Sequence, residues 1–223
     1  MARRRETRQV GLAVTVLVLL GAGAFARAQQ TALTTEHIQS ARREVPELVK
    51  RLALAPGMTV ADVGAGFGAW TVELAKAVGP SGRVLATDLG AAQLQSIREY
   101  AGREKLTNVT VIEAAVSSTN LPVGCCDAIL VRDAYHHFTQ PMAIAKSLAA
   151  ALKPGGRIAL VDFPPRPNSA VPAGVPADRG GHGIPPEVIE REMGATLTHV
   201  STTLGWAPDS QPAGLFLVLF RKP

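Results

Sequence analysis

A glycine-rich turn between a short apolar strand and a helix constrains the fold of this 223-residue chain more than any other feature. Residues 60–69 read VADVGAGFGA, and apolar side chains at helical spacing follow as far as residue 78. Glycine has no Cβ, so the backbone of such a turn can approach a ligand closely. A strand, a glycine turn and a helix in this order predict a nucleotide-like ligand at the edge of a parallel sheet.

The rest of the chain repeats this alternation of strands and helices. An amphipathic helix from residue 35 precedes the first strand and stops at Pro56-Gly57. Strands are predicted at 58–63, 83–87, 108–112, 127–131 and 157–162, with helices at 69–78, 91–105 and 138–152 between them. Short apolar strands separated by helices predict crossover connections, and therefore an α/β fold with a doubly wound parallel sheet.

The pattern changes after residue 162. Residues 164–186, here called the proline-rich loop, contain seven prolines and four glycines, which predicts irregular structure. A stretch of this length inside a domain is usually a functional lid or a disordered insert. A helix at 186–193 and strands at 195–203 and 215–221 follow, and the absence of a helical pattern between these strands predicts an antiparallel hairpin. One domain over 35–223 is expected.

The first 28 residues have the pattern of a targeting segment. Five arginines and one glutamate there carry four of the five net positive charges of the chain, so the rest is almost neutral and a nucleic-acid partner is not indicated. An uncharged apolar run at 10–26 precedes Ala26-Arg27-Ala28, which has small residues at the positions that signal peptidase requires. Residues 1–28 are predicted to be a signal peptide, or an uncleaved anchor that keeps the domain near a membrane. Both predict an exported protein, periplasmic or secreted.

Two carboxylates flank the glycine turn and indicate which kind of ligand it binds. Asp62 lies two residues before the first glycine, where it would repel a pyrophosphate but tolerate a ligand with ammonium and sulfonium charges; its other interpretation is a brace for the loop amides. Asp88 ends the second predicted strand, where a carboxylate can bind both hydroxyls of a ribose. Gly64, Gly66 and Ala69 also satisfy the dinucleotide pattern, so an NAD-dependent oxidoreductase remains an alternative.

These motifs resemble the class I S-adenosylmethionine (SAM)-dependent methyltransferases. The likeness also includes Leu121-Pro122 before the fourth strand and LKPGGR at 152–157, and it covers residues 35–163 and, more loosely, the tail. Tyr135-His136-His137-Phe138 and the leader are similar to a group of exported bacterial methyltransferases of the type 11 kind with unknown substrates. The resemblance implies a Rossmann-like sheet of seven strands, mostly parallel with an antiparallel last strand.

The resemblance also implies SAM as the cofactor. The residues expected to contact it are Asp62, Gly64, Ala65, Gly66, Gly68, Asp88, Leu89, Glu113 and Ala114. Family members commonly place an acidic residue after the third strand, beside the adenine. Here either Glu113 is displaced by one position, or a backbone N–H of Ala114 or Ala115 contacts the base instead.

Candidate catalytic residues follow the fourth predicted strand. His136 or Asp133 could deprotonate an acceptor and Tyr135 could orient it; alternatively, one histidine of the His136-His137 pair caps the next helix and the other packs beneath it. No metal site is expected, because adjacent histidines rarely share one ion and no acidic third ligand has a suitable spacing. His182 either closes over the acceptor as part of a lid or is a solvated loop histidine.

The remaining expectations concern the cysteines and the reaction. Cys125 and Cys126 are adjacent, and their Cα separation of about 3.8 Å is below the usual range for a disulfide, so two thiols are predicted, with a vicinal disulfide as the alternative. The predicted function is SAM-dependent methyl transfer to a small-molecule or lipid-like acceptor. A protein that binds an adenosyl ligand without catalysis is the second alternative to this function.

Overall fold

A computed structural model of the protein describes residues 32–210 and 212–223. The predicted leader at 1–28, including the apolar run at 10–26, lies outside the described residues. Within residues 32–210 and 212–223, no helix combines the length and the apolarity needed to span a membrane.

One mixed sheet forms the centre of the described domain. Its strands are β1 (Thr59–Val63), β2 (Arg83–Asp88), β3 (Val109–Glu113), β4 (Cys126–Arg132), β5 (Leu152–Asp162), β6 (Thr198–Leu204) and β7 (Phe216–Arg221). Their order in the sheet is β3-β2-β1-β4-β5-β7-β6. β1 to β5 pair in parallel, whereas β7 is antiparallel to both β5 and β6. The predicted Rossmann-like fold class and the terminal hairpin are confirmed.

Helices cover both faces of the sheet. They are α1 (Thr35–Leu52), α2 (Ala69–Val78), α3 (Ala91–Arg103), α4 (Pro141–Ala151) and α5 (Pro186–Gly194). In β4, Ile129 and Val131 pack with α4 and α5 on one face, while Ala128 and Leu130 pack with α1 and α2 on the other. Because both faces are buried, these strands are continuous apolar runs in the sequence rather than alternating ones.

Most element boundaries lie within two residues of the sequence predictions, and the starts of α4 and β5 are among those that differ by more. The helix predicted from residue 138 begins at Pro141, because residues Tyr135–His137 form a separate 3-10 turn and proline, which lacks an N–H, is favoured in the first helical turn. The strand predicted from residue 157 begins at Leu152, which pairs with Cys126 before the register shifts to Ala128 and Arg157.

The proline-rich loop is folded against the edge of the sheet. The amide of Arg166 donates to the carbonyl of His182 (2.9 Å), and the amide of Ile184 donates to the carbonyl of Phe163 (3.0 Å), so the ends of the loop are joined. Between them, Arg179 is fully buried and its guanidinium binds both carboxylate oxygens of Glu192 on α5, at 2.9 and 3.2 Å. These contacts describe a folded segment rather than a disordered insert.

Candidate functional site

The glycine turn joins the carboxyl ends of three strands. The amides of Gly64 and Ala65 both donate to the carbonyl of Thr87 on β2, at 2.9 and 3.0 Å. Gly64 has a φ of 69°, and a Cβ there would lie 2.6 Å from the Cβ of Ala134, which follows β4. Position 64 therefore requires glycine for both its conformation and its close contact.

Asp88 ties the turn to the end of β2. Its carboxylate accepts hydrogen bonds from the amide of Gly66 (2.9 Å) and from the amide of Gly90 (3.0 Å), one on each oxygen. Each oxygen of a carboxylate has a second lone pair, so two further donors can still be accepted. A Cβ at Gly66 would meet no atom within 4 Å, so the turn borders open space at the glycine that Asp88 holds.

Asp62 lies beneath the turn and is only 2% exposed. Its carboxylate accepts a hydrogen bond of 2.6 Å from the hydroxyl of Thr71 on α2, so the expected brace to the loop amides is replaced by a contact with the helix. Burial, and secondarily the charge of Asp88, raise the pKa of Asp62 to about 6, although Thr71 and Arg132 favour the ionised form. The domain thus keeps a destabilising carboxylate directly beneath the glycine turn.

The predicted adenine-binding residues lie at the ends of β2 and β3. Leu89 is 56% exposed beside Asp88, and Glu113 is exposed and pairs in register with Asp88. The amide of Ala114 donates to the carbonyl of Asp88 (2.9 Å) and that of Ala115 to the carbonyl of Ser118 (2.8 Å). Recognition of a base by either amide would require one of these bonds to break, and the contacts of Leu89, Glu113 and Ala114 with a cofactor stay predictions.

The carboxyl end of β4 carries the predicted catalytic residues. Asp133 has a φ of 53° and follows β4 directly, next to Ala134 and hence next to the glycine turn. Burial, and then the charge of Asp162, raise the pKa of Asp133 to about 6. Tyr135 is buried, and its hydroxyl donates to Glu192 (2.9 Å), which Arg179 also binds. This hydrogen bond joins Tyr135 to the carboxylate that also holds Arg179 of the proline-rich loop, and a role of Tyr135 in orienting an acceptor stays a prediction.

His136 is fixed by Asp162 at the end of β5. Its Nδ1 lies 2.8 Å from one oxygen of Asp162, and its amide donates to the other oxygen at 3.1 Å. The expectation that a histidine of this pair caps the next helix is wrong, because the N-cap of α4 is Gln140. Instead, the carboxylate at the end of β5 fixes both the backbone and the imidazole ring of His136.

His182 of the proline-rich loop packs against the same pair. Its ring centroid lies 4.9 Å from that of His136 and 5.6 Å from that of His137. The alternative of a solvated loop histidine is therefore not supported. Partial burial of the ring, together with His136 and His182, lowers the pKa of His137 to about 4, so its imidazole is neutral at physiological pH although part of the side chain stays exposed.

The cysteine prediction is corrected by the structure. Cys125 and Cys126 form a vicinal disulfide, and neither is a free thiol. Cys126 opens β4 and is fully buried, while Cys125 is half-buried in the turn before it. Their sulfur atoms are bonded although the Cα atoms are only 3.8 Å apart.

A family model described as "Methyltransferase domain" matches residues 60–156. This range contains the glycine turn, Asp88 and the end of β4. The match supports a methyltransferase domain over these residues.

Curated relatives match about half of the chain. Demethylmenaquinone methyltransferase of Lactococcus lactis is 25% identical over 51% of the chain and 45% of its own length. The ubiquinone/menaquinone biosynthesis C-methyltransferase UbiE of Salmonella arizonae is 30% identical over 48% of the chain and 43% of its own length. The chain therefore spans about half the length of these relatives.

Solved structures share the fold over most of the chain. A SAM-dependent methyltransferase from Aquifex aeolicus is 23% identical, with a TM-score of 0.65, and covers 80% of this chain and 89% of that protein. The [4+2]-cyclase SpnF is 15% identical, with a TM-score of 0.66, and covers 82% of this chain and 81% of its own. The same architecture therefore occurs in a protein named for a different reaction, so the fold alone does not define the chemistry.

Several contacts of the described domain were absent from the sequence predictions. Among them are the hydrogen bond from the Thr71 hydroxyl to Asp62, the contact between Asp162 and His136, and the buried pair of Arg132 and Glu44 (3.0 Å). The position of Asp162 could have been predicted, because it ends the predicted strand at 157–162 and neighbouring parallel strands end at the same edge of a sheet. Arg132 and Glu44 are 88 residues apart, and no local pattern joins them.

Proposed function

We propose that this domain transfers a methyl group from SAM to a small-molecule or lipid-like acceptor. The observation that carries the proposal is the glycine turn at 64–68 with one carboxylate above it and one beneath it. SAM, when bound, supplies a methyl group on a positively charged sulfur that is already a good leaving group. The work left to the protein is to bind the two reactants, align them and exclude water.

The residues present fit an adenosyl ligand that carries positive charge. Asp88 retains lone pairs for the two hydroxyls of a ribose, and Gly66 borders open space beside it. Asp62 is buried, accepts a hydrogen bond from the hydroxyl of Thr71 and has a raised pKa. A positive charge close to such a buried carboxylate stabilises its ionised form. A pyrophosphate at the same turn would be repelled, because it would place further negative charge beside Asp62 and Asp88.

The acceptor side is proposed to lie at the ends of β4 and β5. Asp133 and His136 flank Ala134, whose Cβ packs against the glycine turn, so these side chains lie at the same sheet edge as the cofactor residues. Either could take a proton from an acceptor that is protonated at the working pH, and an acceptor that is already nucleophilic would need neither.

A quinone-like, lipid-soluble ring is the first acceptor class to test. The relatives named above are methyltransferases of demethylmenaquinone and of ubiquinone or menaquinone biosynthesis, which supports an acceptor of this chemistry. The nearly neutral charge of residues 29–223 supports a small or apolar acceptor over a nucleic acid.

Isothermal titration of the purified chain with SAM, S-adenosylhomocysteine and NAD tests the cofactor. We expect the two adenosyl compounds to bind and NAD not to bind. Asp88→Ala should weaken SAM binding by about tenfold to a hundredfold, since it removes hydrogen bonds worth ~1–3 kcal/mol. Glu99→Gln, an exposed change on α3, is the matched control and should bind normally.

The outcomes separate the proposal from its alternatives. Preferential binding of NAD would indicate an oxidoreductase. Binding of SAM without transfer of a labelled methyl group to any compound in a quinone-containing lipid extract would indicate an adenosyl-binding protein without catalysis. Failure of both adenosyl compounds to bind would overturn the cofactor assignment.

We also propose that residues 1–28 export the domain. The arginine-rich start, the apolar run and Ala26-Arg27-Ala28 support this, and so does the vicinal disulfide, because disulfides persist mainly in oxidising compartments. Cell fractionation with N-terminal sequencing tests it: a mature protein beginning at Gln29 outside the cytoplasm is expected, or an intact chain in the membrane fraction if the segment is an anchor. An intact chain in the cytoplasm would contradict export.

A further inference from the structure

Three histidines converge at the carboxyl ends of β4 and β5. His136 and His137 belong to the 3-10 turn after β4, and His182 comes from the proline-rich loop. One ring nitrogen from each lies within 4.8 Å of the others. Imidazole nitrogens are ligands for divalent transition metals, and three histidines around one ion are a known zinc-binding set. The expectation of no metal considered only spacing along the chain, which could not place His182 beside the pair.

Asp162 supplies the support that a metal-binding histidine needs. Its carboxylate accepts from Nδ1 of His136 at 2.8 Å, which directs the lone pair of the ring to Nε2. Metal-binding histidines usually donate their other ring N–H to a carboxylate or carbonyl in this way. Asp162 is itself held by the amides of His136 and Phe163, at 3.1 and 2.9 Å. The ring of His136 therefore has one orientation before any ion arrives.

The second ring nitrogen of His136, Nε2, is the candidate metal ligand. His136 is 1% exposed, and its Nε2 is buried with no hydrogen-bond partner among residues 32–210 and 212–223. Buried polar atoms in native proteins are almost always paired, so an orphan nitrogen beside two other imidazoles calls for an explanation. A metal ion bound by its lone pair would satisfy it.

The loop backbone holds His182 in place around this position. Its amide donates to the hydroxyl of Ser169 (2.8 Å), and its carbonyl accepts from the amide of Arg166 (2.9 Å). The next residue, Gly183, has a φ of 118°, and a Cβ there would lie 2.6 Å from the carbonyl oxygen of Pro164. Only glycine permits this close approach, so the local sequence is suited to presenting His182 toward the pair.

We propose that His136, His137 and His182 bind one Zn²⁺ ion. Tetrahedral zinc with Zn–N bonds of about 2.0–2.1 Å requires nitrogens about 3.4 Å apart, so the rings of His137 and His182 would close in slightly around a fixed His136. Phe163 packs against both His136 and His182, with centroids 4.7 and 5.4 Å away, and shields one side, while the exposed His137 leaves a path for entry.

A zinc ion at this position would tie the proline-rich loop to the edge of the sheet. Three protein ligands leave one position of a tetrahedral ion for a non-protein ligand. With His136 occupied by the metal, Asp133 is the group left to accept a proton on this side. Zinc binding itself does not depend on the proposed methyl transfer, so the two can be tested separately.

The test is zinc titration of the full-length chain, purified without a polyhistidine tag and treated with a chelator. We expect one equivalent of Zn²⁺ by calorimetry and by elemental analysis. His182→Gln should lower the affinity at least tenfold, and Asp162→Asn by about tenfold to a hundredfold, as supporting carboxylates do elsewhere. His199→Gln, an exposed histidine on β6, is the matched control and should bind one equivalent normally.

Two further measurements keep the result interpretable. Circular dichroism melting checks that each variant is folded, and limited proteolysis should show that Zn²⁺ slows cleavage within the proline-rich loop of the natural chain but not of His182→Gln. A second cluster, Asp133, His136 and Asp162, shares His136 and also lies within 4.8 Å. Equal zinc binding by His182→Gln and His199→Gln, or no stoichiometric binding by the natural chain, would overturn the three-histidine site.

Discussion

Replacing Asp62 by asparagine should stabilise the ligand-free domain and weaken its binding of SAM. The carboxylate is 2% exposed, and its pKa of about 6 lies above the ordinary value of 3.8. One pKa unit corresponds to about 1.4 kcal/mol, so ionised Asp62 costs the folded state up to about 3 kcal/mol. Asparagine has the same shape, and its carbonyl oxygen can still accept the hydrogen bond from Thr71.

The pH dependence of this difference is the decisive quantity. A carboxyl with a raised pKa in the folded state holds its proton more tightly there than in the unfolded chain, so stability falls as the pH rises from about 3.8 to about 6 and stays lowered above that. The Asp62→Asn variant lacks this loss. Its advantage over the natural chain should therefore be largest at pH 7.5 and close to absent at pH 4, while any cost of the buried amide is the same at both.

Urea unfolding of both proteins at pH 4 and pH 7.5, with SAM titration at pH 7.5, measures these effects. All other titrating groups are shared, so the difference between the two proteins isolates Asp62. Asp209→Asn removes an exposed carboxylate as the control and should alter neither stability nor binding. A stability difference that does not change between the two pH values would refute the buried-charge reasoning, and unaltered SAM affinity would remove Asp62 from the cofactor site.

Three further substitutions test the packing that positions the site. Gly64→Ala should lower the free energy of unfolding by about 1–3 kcal/mol through its clash beside β4, measured in urea; equal stability would contradict the close contact. Arg179→Met should lower it by about 3–5 kcal/mol and speed proteolysis of the proline-rich loop, because Glu192 is left buried without its cation; an unchanged cleavage rate would show that the loop is held by other contacts. Trp206→Phe should lower the melting temperature, since the indole N–H donates to buried Glu44 and its loss costs about 1–3 kcal/mol; no shift would mean that water replaces the donor.

The sequence predicted the parts of the fold that depend on local patterns. The strands β4 and β5 are buried on both faces, so residues 129–131 and 158–161 are apolar runs that can be found without knowing their neighbours. The glycine turn follows the end of β1, and Asp88 ends β2. Both therefore lie at the same edge of the sheet, as expected for neighbouring parallel strands. These features need only the order of elements along the chain.

The acceptor side could be predicted only in part, because distant segments build it. Nothing in the pattern around Tyr135 shows that its hydroxyl is directed to Glu192, 57 residues later. The same holds for His182, which reaches the sheet edge only because the proline-rich loop closes on itself. The sequence offered the vicinal disulfide only as the alternative to two thiols, since the distance between adjacent Cα atoms does not by itself determine where the side chains point.

The proposed cofactor side and the proposed acceptor side are built from different parts of the fold. The proposed cofactor side is assembled from the ends of β1, β2 and β3, which α2 and α3 connect. The acceptor side combines the ends of β4 and β5 with a loop that Arg179 anchors through Glu192 and that carries His182 to His136. A structural neighbour named as a [4+2]-cyclase shares the architecture, so a difference in reaction has to arise outside the common frame. The identity of the acceptor should accordingly follow changes in residues 133–137 and in the proline-rich loop, and not changes in the glycine turn.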